Sequence, residues 1–322
     1  MARYLVTGCA GFIGSHLTEK LVETLAPNGD VIRGLDNFET GNRENLATFR
    51  DRIEFLECDL RNPAAVADAC RDVDYIFHVA ALPSAPRSVK DPRTSHTANI
   101  DGTFNLLEGA RAAGVRRIVY SASSSAYGNQ PGFPRVETMV PMPIAPYPVQ
   151  KLAGEFYMKS YWQIYGIETA CLRYFNIFGP RQVPDSPYSG IMAKFTLQML
   201  RGEPPTIFGD GEQGRDFTYI DNAVSANLLA MAAPAEKIAG RVFNVACGER
   251  HTINKTFKVL AELLNFKGQP IYSPPRTGDI RDSLADISAA EAFGYRVAVS
   301  FEEGLRRTVE WYKQQYSEVA AR

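Results

Sequence analysis

The chain has 322 residues, enough for two domains or for one large domain with a smaller lobe. Its 35 Lys+Arg against 36 Asp+Glu leave a net charge of −1, so no global field draws it to nucleic acid or an anionic membrane. Five widely spaced cysteines without a CxxC suggest neither a disulfide framework nor a zinc site.

The amino terminus, MARYLVTGCAG, reaches glycine after a very short apolar run and has no signal-peptide core. No later stretch is an uninterrupted apolar span of transmembrane length, so the expected location is the cytoplasm. YLVTG predicts the first strand, and behind it Ile13, Leu17 and Leu21 recur at i, i+4, i+8, as in a helix with one buried stripe. Between them VTGCAGFIGSH carries Gly8, Gly11 and Gly14. Glycine there permits a tight turn and close approach of the backbone to a pyrophosphate, whose charge a helix N-terminus favours. The second run, VIRGLD, ends in Asp36, at about the distance where an acid binds the adenosine ribose. A carboxylate there repels a 2′-phosphate and favours NAD over NADP, although Arg33 lies close by.

IEFLECD, VDYIFHVAA, RRIVYSAS and ETACLRYFNIFG continue the series of short β-branched and aromatic runs between longer amphipathic stretches. Such alternation predicts an α/β fold, a doubly wound parallel sheet with helices on both faces. The fifth run ends in SASSSAYG, placing Ser123, Ser124 and Ser125 where ligands of open α/β sheets sit. APYPVQKLAGE follows, with Tyr147 and Lys151 one helical turn apart; proline at 148 predicts Tyr147 as the helix N-cap and Pro148 as its first residue. A serine cluster alone also suits a solvated turn, and a Tyr/Lys pair alone suits a helix surface. After about Gly179 the texture changes to the Pro/Gly-rich PRQVPDSPYSG and RGEPPTIFGDGEQGRD, which read as a smaller lobe. A last helix, EEGLRRTVEWYKQQY, puts Leu305, Val309, Tyr312 and Tyr316 on one docked face.

The glycine spacing, the serine strand end, Tyr147-x-x-x-Lys151 and RYFNIFGPRQ together resemble an extended short-chain dehydrogenase/reductase (SDR), and within it a nucleotide-sugar 4-epimerase, over nearly the whole chain. The resemblance implies an NAD-binding Rossmann domain over residues 1–177, to which part of 215–248 returns, and a mainly nucleotide-sugar-binding lobe over 178–322. It implies NAD held tightly and regenerated in each turnover. Tyr147 is the implied base, Lys151 holds the nicotinamide ribose and lowers the tyrosine pKa, and Ser123 bonds the reacting oxygen. A free phenol, pKa near 10, is a poor base at neutral pH, but an adjacent ammonium and a positive nicotinamide ring favour phenolate.

Cofactor contacts are implied at Gly8, Gly11, Phe12, Ile13, Gly14, Asp36, Asn37, Asp59, Leu60, Ala80, Ala81, Asn99, Tyr147 and Lys151. Substrate contacts are implied at Ser84, Ser123, Ser124, Asn176, Gln182, Arg215, Arg276, Asp279 and Ser283. Two arginines can pair bidentately with diphosphate oxygens and an acid can hold a ribose, although surface ion pairs would explain Arg215, Arg276 and Asp279 as well. Dehydratases and decarboxylases of the family this chain resembles carry an acid beside the catalytic hydroxyl; none stands in Ser123-Ser124-Ser125-Ala126, so the resemblance implies epimerisation over elimination or decarboxylation. Ser283 occupies a place where glucose-restricted epimerases carry a bulky residue; serine leaves room for an acetamido group, so the expected reaction interconverts UDP-N-acetylglucosamine and UDP-N-acetylgalactosamine. UDP-glucose and UDP-glucuronate remain alternatives, as does a non-catalytic NAD-sensing protein. The family often forms homodimers through two helices per subunit; LAGEFYMKSYW can supply one, or can be core.

Overall fold

The computed structural model describes residues 1–184, 190–275 and 281–316. One sheet of seven strands organises it: β1 (Arg3–Thr7), β2 (Val31–Asp36), β3 (Glu54–Glu57), β4 (Tyr75–His78), β5 (Arg117–Ser123), β6 (Glu168–Tyr174) and β7 (Arg241–Val245). Their spatial order is β7-β6-β5-β4-β1-β2-β3 and every pairing is parallel. β1 lies between β2 and β4, so the winding reverses there and opens a crevice at the carboxyl ends of the strands.

Helices α1 (Phe12–Thr24), α2 (Pro63–Cys70), α3 (Gly102–Ala113) and α4 (Pro146–Tyr165) connect these strands. They are followed by α5 (Ile191–Leu200), α6 (Ile220–Ala232), α7 (Ile253–Leu264) and α8 (Phe301–Gln315). Successive strand residues enter opposite cores, as a sheet buried on both faces requires. Leu5 and Ile118 pack with Val66 and Leu106 below α2 and α3, while Val6 and Val119 pack with Leu17 and Leu21 of α1. Arg117 pairs with Glu168 and donates to the carbonyls of Ala230 and Ala233 at the end of α6, so a buried guanidinium caps a helix C-terminus.

The lobe is assembled differently. Ile177–Phe178 pairs with Thr218–Tyr219, Thr206–Phe208 with Ile271–Ser273, and Gly214–Arg215 with His251–Thr252. These short ladders are joined by side chains. Asp216, wholly buried, accepts from the backbone N–H groups of Cys247 (2.9 Å), Gly248 (3.0 Å) and Ala285 (3.1 Å), tying three remote segments together. Phe178, Phe217, Tyr219 and Phe301, mostly edge to face, form one aromatic cluster at the start of α8. Of the stripe expected on α8, Leu305, Val309 and Tyr312 are buried, whereas Tyr316 falls just past its end.

One helix start differs from expectation. The N-cap of α4 is Ala145, with Pro146 first, so Tyr147 is already helical and Pro148 stands third. Proline is tolerated there because the first-turn N–H groups have no intrahelical acceptor to lose and no helical carbonyl precedes the ring.

Candidate active site

A cavity of about 550 Å³ fills the crevice at the β1/β4 reversal. Its floor is the β1–α1 turn. Gly8 has φ +72°, and a Cβ on it would lie 2.8 Å from Ala80 Cα; a Cβ on Gly14 would lie 1.9 Å from Gly8 O. Gly11 is the N-cap of α1 with no side-chain cap, and the first turn holds no acid. The helix therefore presents uncapped N–H groups and a positive dipole end, which fits a pyrophosphate. Asp36 closes one end of the cavity and accepts from the N–H groups of Ala10 (2.9 Å) and Phe38 (2.8 Å); burial pushes its carboxyl up while these bonds pull it back. Arg33 takes no part, because its guanidinium is used up by Glu54 and by the carbonyls of Ala69 and Arg71.

Phe12, Ile13, Asn37, Asp59, Leu60, Ala80, Ala81, Ser123, Tyr147 and Lys151 also line this cavity, as do Asn176 and Gln182. Asp59 is clamped by Arg61 (2.6–3.1 Å) and Asn37 (2.9 Å), which hold its carboxyl down at about 2. Asn99 does not line it. Its amide is spent on both backbone groups of Leu82 and on Gln150, so it fixes the loop under the cavity instead of facing it.

Tyr147 and Lys151 reach the cavity from successive turns of α4. Lys151 lies 4.4 Å from the centre of the Tyr120 ring, and Tyr120 approaches this closely because Gly154 has no side chain: a Cβ there would lie 2.3 Å from its hydroxyl. The expected lowering of the tyrosine by the lysine is not what the protein alone provides. Burial pushes the Tyr147 phenol up to about 12, with Ser123 pulling it back, and burial pushes the Lys151 ammonium down to about 7. Burial disfavours both ionised forms, and that cost dominates. A positive charge brought into the cavity tips the phenol towards phenolate.

A second cavity, about 450 Å³, adjoins the first and shares Asn176, Ile177, Gln182 and Gly190 with it. Arg215 lines it, with Lys194, Gln198, Gln213, Phe208 and Phe217. Ser283 lines neither cavity, but its Oγ accepts from Asn176 Nδ2 (3.0 Å) and Asp216 N (3.3 Å) behind their junction. Ser84 caps a short helix, Ala85–Lys90, and Ser124 starts the turn after β5; both stand outside the cavity walls. Arg276 and Asp279 lie outside the described residues.

Several lining residues were not singled out from sequence. Arg61 stands in DLR, and Lys194, Gln198 and Gln213 belong to segments the fold folds back. Arg181, within GPRQ, has φ +65° and pairs with Glu19 of α1 at 2.6 Å. No local pattern marks any of them.

A glycine-lined crevice at the reversal of a parallel sheet, with a tyrosine and a lysine one turn apart at its wall, defines a dinucleotide-dependent enzyme of the Rossmann class. Residues 4–246 match the NAD-dependent epimerase/dehydratase family, and the chain belongs to that family. It is 37% identical over 311 residues to a putative UDP-glucose 4-epimerase of Methanocaldococcus jannaschii, covering 96% of this chain and 98% of that one. The Thermotoga maritima UDP-glucose 4-epimerase, solved with UDP-glucose, superposes with a TM-score of 0.91 at 39% identity, covering 97% and 99% of the two chains. A UDP-N-acetylglucosamine 4-epimerase of Methanobrevibacter ruminantium, in complex with UDP-N-acetylmuramic acid, also gives 0.91, at 38% identity over 98% and 99%.

Proposed function

We propose that this chain interconverts UDP-N-acetylglucosamine and UDP-N-acetylgalactosamine. An NAD-dependent UDP-sugar 4-epimerase is the coarser statement that family and relatives support. Bound NAD supplies a hydride acceptor that returns the hydride later. Gly8, Gly11 and Gly14 hold its pyrophosphate and Asp36 its adenosine ribose; the carboxylate disfavours a 2′-phosphate. Tyr147 takes the proton of the sugar 4-hydroxyl as hydride leaves the same carbon. Ser123 donates to that oxygen as it becomes a ketone, and Lys151 holds the nicotinamide ribose. Once the keto sugar has turned over in the joined cavities, Tyr147 gives the proton back to the same oxygen; the hydride for its other face would come from the same NAD.

Ser283 carries the choice of sugar. It is small, and both lone pairs of its hydroxyl are engaged by Asn176 and Asp216, so the hydroxyl can still only donate. Ser283 lines neither cavity, so it bears on an acetamido group through Asn176, which it holds and which lines both. The relatives' names favour UDP-glucose as the second reading. Separate incubation with each UDP-sugar, with the C4 epimer resolved by chromatography, decides: kcat/KM is expected to be highest for the N-acetylated pair, and turnover of UDP-glucose alone overturns the assignment. No helix among the described residues is long and apolar enough to cross a membrane, and a cytoplasmic enzyme is the reading adopted. Phe156 (62% exposed) and Tyr157 (37%) stand on α4, where Tyr157 packs on Phe104 (42%) of α3, a face suited to a homodimer.

A further inference from the structure

The hydroxyl of Ser123 has neighbours that its role as a hydrogen-bond donor to the reacting oxygen does not explain. Ser125 N donates to Ser123 Oγ at 3.2 Å, and Ser125 Oγ lies 2.7 Å from the same oxygen. Both contacts come from one turn: Ser123 caps the short helix Ser124–Tyr127, so residue 125 is brought back over it. A serine hydroxyl has two acceptor sites and one donor. The Ser125 N–H fills one acceptor site in every state. If the Ser125 hydroxyl fills the other, Ser123 can only donate, and it donates to the acceptor it shares the cavity with.

We propose that Ser125 is a positioning residue that holds the Ser123 hydroxyl as a donor towards the Tyr147 oxygen and the reacting sugar oxygen. The inference rests on the roles given above to Tyr147 as proton acceptor and to Ser123 as hydrogen-bond donor. When Tyr147 is a phenolate it can only accept, so Ser123 donates to it and Ser125 donates to Ser123. When Tyr147 has taken the proton, Ser123 turns to the nascent ketone and Ser125 keeps its donation unchanged. No water is needed to complete either arrangement, and Ser125 itself neither gains nor loses a proton. Such ordering matters because a hydroxyl that points away from the reacting oxygen stabilises no charge there.

Four variants of the NAD-loaded protein test this: Ser125→Ala, Ser125→Thr, Ser123→Ala and Tyr147→Phe. Ser125→Ala is expected to lower kcat by roughly five- to twentyfold with KM little changed, and to move the ascending limb of the kcat/KM profile to higher pH. The limb moves up because a phenolate that has lost an ordered donor is harder to form. Ser125→Thr restores both. An independent readout is the NMR titration of isotope-labelled tyrosine Cζ, with the Tyr147 signal assigned by its loss in Tyr147→Phe; its midpoint rises in Ser125→Ala and returns in Ser125→Thr. An unmoved profile and midpoint in Ser125→Ala, or a Ser125→Thr protein no better than Ser125→Ala, overturns the proposal. If Ser123→Ala and Tyr147→Phe themselves keep wild-type turnover, the proton-transfer assignment falls, and this one with it.

Discussion

The two ends of the active site are built by opposite means. The cofactor end rests on seven parallel strands whose ladders run through neighbouring residues, and its turn is shaped by three glycines within seven positions. The substrate end rests on two- and three-residue ladders joined by single buried side chains, with Asp216 binding partners 31 to 69 residues away. A site held by backbone pattern fails when the backbone is crowded. One held by a hub fails when the hub is removed, and each failure should stay on its own side.

The largest effect is expected from Gly14→Ala. A methyl placed 1.9 Å from Gly8 O forces the turn open, and NAD affinity should fall by roughly a hundredfold while UDP affinity changes little by calorimetry. Equal losses of both ligands would break the comparison. Asp216→Ala reverses the pattern: it strands buried N–H groups of Cys247, Gly248 and Ala285. UDP affinity should drop by on the order of tenfold to fiftyfold, with NAD nearly unaffected. Ser283→Tyr crowds the same end and should lower the ratio of kcat/KM for UDP-N-acetylglucosamine over UDP-glucose by about tenfold; an unchanged ratio in an active variant removes Ser283 from the specificity argument.

The smallest effect is thermal, and its sign differs between the halves. His78, wholly buried between Thr7 and Thr103, is pushed by burial down to about 3. Below its ordinary value of 6.5 the unfolded chain binds a proton that the fold refuses, so this group's stability is lost as pH falls from 6.5 towards 3. Asp216 is pushed by burial up to about 6 from 3.8, so between those values the folded chain holds the extra proton and this group's contribution improves as pH falls. Melting curves between pH 7 and 4 should therefore fall less steeply for His78→Gln and more steeply for Asp216→Asn, by a few degrees. A change of slope in the other direction for either variant contradicts the assignment.

The same division explains what could be read from sequence. The strands, the glycine turn and the Tyr147/Lys151 pair lie within runs short enough for period and spacing to reveal. α4 starts two residues before the point that the proline spacing predicts, because the rule against helix before proline weakens in a first turn. Asn99 stands off the cavity wall, and position near the crevice does not tell which way an amide turns; its bonds to Leu82 and Gln150 depend on loop and helix meeting. The second cavity was the least legible part. Lys194, Gln213 and Arg215 converge only once the lobe's short ladders form, and Asp216 was passed over because nothing local announces a buried carboxylate.

The central claim is that one carbon loses and regains its own hydride within the joined cavities. UDP-N-acetylglucosamine carrying deuterium at C4, turned over by the NAD-loaded protein in ordinary water, tests it by mass spectrometry of the product. The account predicts UDP-N-acetylgalactosamine with the deuterium retained at C4, and none formed by Tyr147→Phe on the same timescale. Product in which the C4 deuterium has been replaced by hydrogen from solvent would contradict it.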